Sequence, residues 1–313
     1  MSYLKTSIFL ASLASLTLLP SCQKDLGAAQ LASTVSASQG EARDLYNAAL
    51  AAEQAGKTKR ARKLFEKVSK EYPLSLVAAD AQYRNARLLD NSGKLLDAFN
   101  AYDGLITKYP NSPHYATAIK REIALAHAAA GGDLRTPTFI GLKTKLDPKK
   151  TVGMLDKVRI NAPRAASAPK AQFTIGEVWQ NDQKIDRAIP AFIKVVSLYP
   201  ESTLAPEAQF RIGQLLLKEA EEGNQDQANL DRARRAFEEV ISRYPNGRHA
   251  REAKKQMTKI ASGNIERTYN TAEFYRKKNQ NDSALFYYKE VVRNSKPGLL
   301  HNQAKAWITK LSQ

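Results

Sequence analysis

Apolar residues recur three and four positions apart through most of the chain, and the runs they form end alike. In four places an alanine is followed four residues later by an aromatic, three further by an aliphatic, and then by Tyr-Pro. These are Ala61, Phe65, Val68 to Tyr72-Pro73; Ala98, Tyr102, Leu105 to Tyr109-Pro110; Ala188, Phe192, Val195 to Tyr199-Pro200; and Ala233, Phe237, Val240 to Tyr244-Pro245. Weaker copies end at Pro163, with Leu155 and Val158, and at Pro297, with Ala284, Tyr288 and Val291. Residues spaced i, i+4 and i+7 form one stripe on a helix. The proline stops that helix, having no amide hydrogen and disfavouring a helical residue before it. Ser75, Ser112 and Ser202 follow two residues later, placed to cap the next helix. Gly56 and Gly93 mark the turn within a helix pair, and Gly176 and Gly213 predict close helix approach.

The pattern predicts six helix–turn–helix units of the tetratricopeptide type, at roughly 42–75, 79–112, 113–165, 169–202, 206–247 and 265–298. The fold class is all-α, a right-handed superhelical solenoid. A capping helix near 299–312 would turn Trp307, Ile308 and Leu311 inward. One unit cannot bury its apolar face alone, so stacking makes the core. We divide the chain into a leader (1–21), a lipid-bearing tether (22–40), and N-terminal (41–202) and C-terminal (203–313) repeats. The third unit carries an insertion at about 131–150, opened by Gly131-Gly132 and holding Phe139, Ile140 and Leu142. That trio either forms a functional loop or tucks back over the core. Glu221–Leu230 adds a polar segment to the fifth unit.

The first residues, MSYLKTSIFLASLASLTLLPSC, read as an export signal: Lys5, then an apolar run from Ile8 to Leu19 too short to span a bilayer. Leu19-Pro20-Ser21-Cys22 resembles the bacterial lipobox, which implies acylation of Cys22 and a lipid anchor. Gln23 after the cysteine favours the outer membrane, with the protein facing the periplasm. Residues 23–40 lack aromatics and read as a flexible tether with a root-mean-square reach of roughly 23 Å.

The net charge of +17 falls to +16 once the leader takes Lys5 away. Export removes nucleic acid as the reason for that charge. The basic clusters at Lys57–Lys63, Lys143–Lys170 and Arg248–Lys259 are either solvated helix faces or attractive to anionic headgroups. A single cysteine excludes a disulfide framework and a multi-cysteine zinc site. His114, His127, His249 and His301 fall in different units without ligand spacing, and no phosphate loop or nucleophile motif is present. We expect no cofactor, no metal and no catalysis.

Binding is the expectation instead. In this fold the first helix of each unit lines the inner surface. Spacing turns Arg43, Tyr46 and Leu50 inward from the first unit, and Tyr83, Arg87 and Asp90 from the second. Tyrosines beside arginines suit an extended peptide, the rings supplying rigid area and the guanidinium groups binding carbonyls or a terminal carboxylate. The alternative is that both tyrosines pack between neighbouring helices. At the other end Phe286, Tyr287 and Tyr288 are about 100° apart on a helix, so they cannot all be core. Tyr288 takes the core position, leaving Phe286 or Tyr287 as a partner-docking candidate.

Residues 41–111 and 203–294 resemble the BamD family of outer-membrane β-barrel assembly lipoproteins. The stretches carrying this are Ala61-Arg62-Lys63-Leu64-Phe65-Glu66-Lys67-Val68 to Tyr72-Pro73, and Ala233-Arg234-Arg235-Ala236-Phe237-Glu238-Glu239-Val240 to Tyr244-Pro245. Asn246-Gly247-Arg248 and a helix with Ala272-Glu273-Phe274-Tyr275 follow. The family usually has five units, and this chain has an extra one near 113–165. The resemblance implies N-terminal repeats that receive unfolded barrel precursors, and C-terminal repeats that dock the β-barrel insertase beside other assembly lipoproteins. The competing function is a tetratricopeptide lipoprotein coordinating envelope constriction or peptidoglycan synthesis.

Overall fold

The computed structural model describes residues 28–137, 143–223 and 227–313. Six antiparallel helix pairs follow one another, each helix packing chiefly on its neighbours in sequence. The pairs are α1 (Ala28–Gln54) with α2 (Thr58–Glu71), α3 (Ala78–Asn91) with α4 (Leu95–Lys108), and α5 (Tyr115–Gly131) with α6 (Pro148–Asn161). Then come α7 (Ser167–Asn181) with α8 (Ile185–Leu198), α9 (Ala205–Glu222) with α10 (Gln227–Arg243), and α11 (Arg248–Lys277) with α12 (Asn281–Asn294). The closing helix is α13 (Leu299–Leu311), where Trp307, Ile308 and Leu311 pack against Tyr288 and its neighbours. The solenoid of the sequence reading is the structure found.

Each signature residue does what its spacing demands. Ala61, Ala98, Ala188 and Ala233 are fully buried, as are Phe65, Phe192 and Phe237. In the fourth and fifth units the aromatic ring fills the space where the opposing helix has no side chain. A Cβ on Gly176 would lie 2.6 Å from the Phe192 ring, and one on Gly213 2.6 Å from the Phe237 ring. A second pin recurs: Gln82, Gln172 and Gln209 each donate an amide hydrogen across the pair, to the carbonyls of Ala101, Ala191 and Ala236, at 2.8, 2.9 and 3.3 Å. These amides tie the first helix to the second without leaving a buried polar group unpaired.

Several expectations need correction. The serines are not helix caps. The cap positions of α3, α5 and α9 are Val77, His114 and Leu204, none with a capping side chain. Ser112 and Ser202 instead accept from the amides of His114 and Leu204 inside the preceding turn, at 3.1 and 3.2 Å. The expected tether also gives way. α1 begins at Ala28, since an Ala-, Ser- and Gln-containing run without Pro carries no strong helix breaker except Gly40. Gln39 in that helix bonds the connection between α2 and α3. Cys22 lies outside the described residues.

The third-unit insertion forms a small ribbon, β1 (Arg135–Pro137) antiparallel to β2 (Lys143–Lys145). Leu134 and Leu146 at its base are buried in the main core, while Phe139, Ile140 and Leu142 lie outside the described residues. Asp147 then caps α6, its carboxylate accepting from the amides of Lys149 and Lys150. In the fifth unit the extra residues chiefly lengthen α9 and α10, and Leu230 is buried. The long α11 joins two apolar clusters, with Ile260 in the main one and Ala272 in the terminal one.

Candidate functional site

The predicted groove residues stand on α1 and α3, and the structure sorts them into two kinds. Tyr46 is half-buried, edge-on to Phe65 at 5.7 Å, and its hydroxyl donates to Asp80. Leu50 packs into the same first-unit cluster. Tyr83 stacks flat on His114, with centroids 3.9 Å apart. Asp90 is held bidentately by Arg121, at 2.6 and 2.7 Å. Arg43 and Arg87 are exposed, and Arg87 leans over the Tyr83 ring at 5.8 Å. What this surface offers a ligand is therefore two guanidinium groups and the open sides of two tyrosines, on a lattice of satisfied partners.

The sequence reading missed the centre of that lattice. Asp80 accepts from Tyr46, from Arg84 at 2.7 Å and from His114 at 2.7 Å. Burial pushes its carboxyl up, but the bonds from Tyr46, Arg84 and His114 together hold it below its ordinary value. Arg84 also reaches the Tyr46 hydroxyl and Glu53, so three helical turns from two units meet on one guanidinium. The pair Asp80 and Arg84, four apart on a helix, was the legible signal.

A second, buried cluster lies between the second and third units. Glu122 is wholly buried on α5, accepts from Asn161 at 2.8 Å, and has a second oxygen without a partner. Burial first, then the Asp103 carboxylate, push its pKa up to about 8. Lys157 in turn bonds Asp103 at 2.7 Å.

At the C-terminal end Phe286 is 58% exposed and Tyr288 fully buried, as the helical offset requires. Tyr287 is half-buried and stacks parallel on Tyr275, with centroids 5.5 Å apart. Phe274, 55% exposed, lies edge-on to Tyr275, and Lys278 sits over its ring. The candidate pair therefore belongs to a four-ring patch spanning α11 and α12. Tyr288 donates to Glu273, which also holds Arg276 at 2.7 Å, fixing the patch from below.

Among the described residues no helix is long and apolar enough to cross a membrane, and no group of three or more His, Cys, Asp or Glu could hold a metal. Comparison with known families places this geometry. A family model described as an outer membrane lipoprotein, YfiO, matches residues 213–298. Two tetratricopeptide-repeat models match residues 46–113 and 170–202. No curated protein matches. Among solved structures, a tetratricopeptide repeat protein from Parabacteroides merdae is 12% identical, covering 87% of this chain and 99% of its own, with a TM-score of 0.31. PilF of Pseudomonas aeruginosa is 16% identical, covering 86% of this chain and 98% of its own, at 0.29. MamA from Desulfovibrio magneticus is 17% identical, covering 66% and 97%, at 0.30. Those scores are too low to carry a functional inference. In sequence this chain is thus similar to tetratricopeptide repeats over its first, second and fourth units, and to an outer membrane lipoprotein family from within α9 to just past α12.

Proposed function

We propose that this protein is a lipid-anchored, periplasm-facing scaffold of the outer-membrane β-barrel assembly machinery. The observation that carries the reading is the outer membrane lipoprotein match at residues 213–298, in a chain whose Cys22 stands in a lipobox. The match contains the exposed aromatic patch, which is the natural dock for the insertase or an accessory lipoprotein. The Arg43, Tyr46, Tyr83 and Arg87 surface would hold extended precursor segments: the rings pack against side chains while the guanidinium groups bind carbonyl or carboxylate oxygens.

The test is cross-linking in intact cells, detergent extraction and mass spectrometry of what is retained. The expected catch is a large outer-membrane barrel protein with tandem periplasmic domains. Its loss with Phe286→Ala plus Phe274→Ala, at unchanged helicity, would assign the dock to the patch. Capture of peptidoglycan synthases or division proteins without any barrel protein would overturn the reading. For the groove, the Tyr46→Ala/Tyr83→Ala protein is expected to lose precursor binding while Tyr46→Phe/Tyr83→Phe keeps it.

A further inference from the structure

Leu74 and Leu76 are 92% and 93% exposed, on the connection between α2 and α3. The fold does not require leucine there. The corresponding connections carry Asn111 and Pro113 after Pro110, and Glu201 and Thr203 after Pro200. Only the connection nearest the N-terminus places two large apolar side chains at these positions. From Tyr72 to Ala79 the chain carries no charged side chain.

Part of the backbone of this connection is already provided for. The Gln39 amide donates to the carbonyl of Leu74 at 3.4 Å, and its oxygen accepts from the Leu76 amide at 3.1 Å. Ser75 donates to Tyr72 and Ala78 to Ser75. Each of these bonds lowers the cost of moving the loop out of water.

Gln39 also fixes where the loop stands. Ala28 is eleven helical residues before it, about 16 Å at the helical rise. Residues 23–27 add at most about 18 Å. Counting the step out of Cys22, whatever anchors that residue is therefore within about 40 Å of Gln39, on which the loop rests.

We infer that Leu74 and Leu76 form a second membrane contact, the loop dipping into the interfacial region of the bilayer that holds the acylated Cys22. The inference rests on the lipid-anchor reading. A lipid surface suits the loop better than a protein pocket: the leucines project from a turn, with no Trp, Tyr or Arg among residues 73–79 to supply directional contacts. Two points of attachment would orient the solenoid on the membrane, where a single point would let it swing.

Since acylation blocks the chain's own cysteine, a thiol introduced at Leu76→Cys is free for labelling. The full acylated protein, bearing a bimane there, is reconstituted into phosphatidylethanolamine–phosphatidylglycerol vesicles containing nitroxide lipid. The expected result is flotation with the vesicles and strong quenching at position 76, with none at Lys184→Cys on the opposite turn of the fourth unit. Adding Leu74→Ser should lower the inserted fraction about tenfold. Flotation with no quenching at 76 would overturn this inference and leave the anchor standing. Failure to float would overturn both. A blue shift without vesicles that grows with protein concentration would assign the loop to a second copy, and also overturn it.

Discussion

The first two units and the fourth and fifth are the same frame carrying different chemistry. Arg84 and Arg211 occupy equivalent places, each bonded to a residue 31 positions earlier, Glu53 and Gln180, and to an acid one turn before it, Asp80 and Glu207. The aromatics differ. Tyr46 and Tyr83 are replaced by Phe173 and Phe210, and His249 faces Phe210 as His114 faces Tyr83, although at 5.4 Å and tilted. Where the second unit has Arg87 and Asp90, the fifth has Gln214 and Leu217. The arginine ladder is thus part of the repeat, while the exposed Arg87 has a counterpart, Gln214, without a guanidinium group.

Exchanging features between the two copies tests this. The largest effect belongs to the glycine contacts. Gly213→Ala should destabilise by about 1–3 kcal/mol through overpacking against Phe237, although alanine is the better helix former. Ala86→Gly, the reverse change in the second unit, should cost about 1 kcal/mol for helix propensity alone. Urea unfolding followed by circular dichroism separates the two, and stabilisation by Gly213→Ala would refute the close contact.

Next comes Glu122, whose counterpart in the later copy is Met257. Its folded-state pKa lies above the unfolded value, so the native chain holds the extra proton, and stability falls as pH rises from about 4.5 to about 8. Glu122→Met should flatten that slope and gain about 1–2 kcal/mol at pH 8. An unchanged pH profile would show that Glu122 does not titrate in this range.

Asp80 carries the opposite sign. Its carboxyl is held low, so its contribution is present above the ordinary carboxylate pKa and is lost as pH falls below it. Asp80→Asn should cost about 1–2 kcal/mol at pH 7 and progressively less as pH falls below the ordinary carboxylate range, and Glu207→Gln should cost less at pH 7. Thermal melts across pH decide it; equal losses would mean the Tyr46 and His114 bonds contribute nothing.

The smallest effect concerns the turn inside each pair. Gly56 and Gly93 have φ of 70° and 71°, and in the fourth unit Gln183 holds 57°. Gln183→Gly should stabilise by up to about 1 kcal/mol by relieving left-handed strain, whereas Gly56→Gln should destabilise by a similar amount. Melting temperatures suffice to compare them.

Helix number, pairing and the buried stripe were all legible, because alanine, aromatic and aliphatic at i, i+4 and i+7 admit one buried face and proline admits one ending. The exposed position of Phe286 followed from the same helical offset against Tyr288. The serine caps were misread because at Ser112 and Ser202 the Tyr-Pro-x-Ser turn uses the hydroxyl before the helix begins, while the Ser75 hydroxyl is buried without a partner. The helical start of α1 was also not legible, since an alanine- and serine-containing stretch is marginal as a helix and is decided by whether anything packs on it. By itself, then, the sequence determined the repeat, its order and its core, which depend on local periodicity. Only the tertiary structure decided that Asp80 meets Tyr46 of α1 and His114 of the turn before α5, that Glu122 is stranded between two units, and that Gln39 bonds a loop of two exposed leucines. Each of those depends on groups far apart in the chain meeting at hydrogen-bond distance, and periodicity carries no record of that.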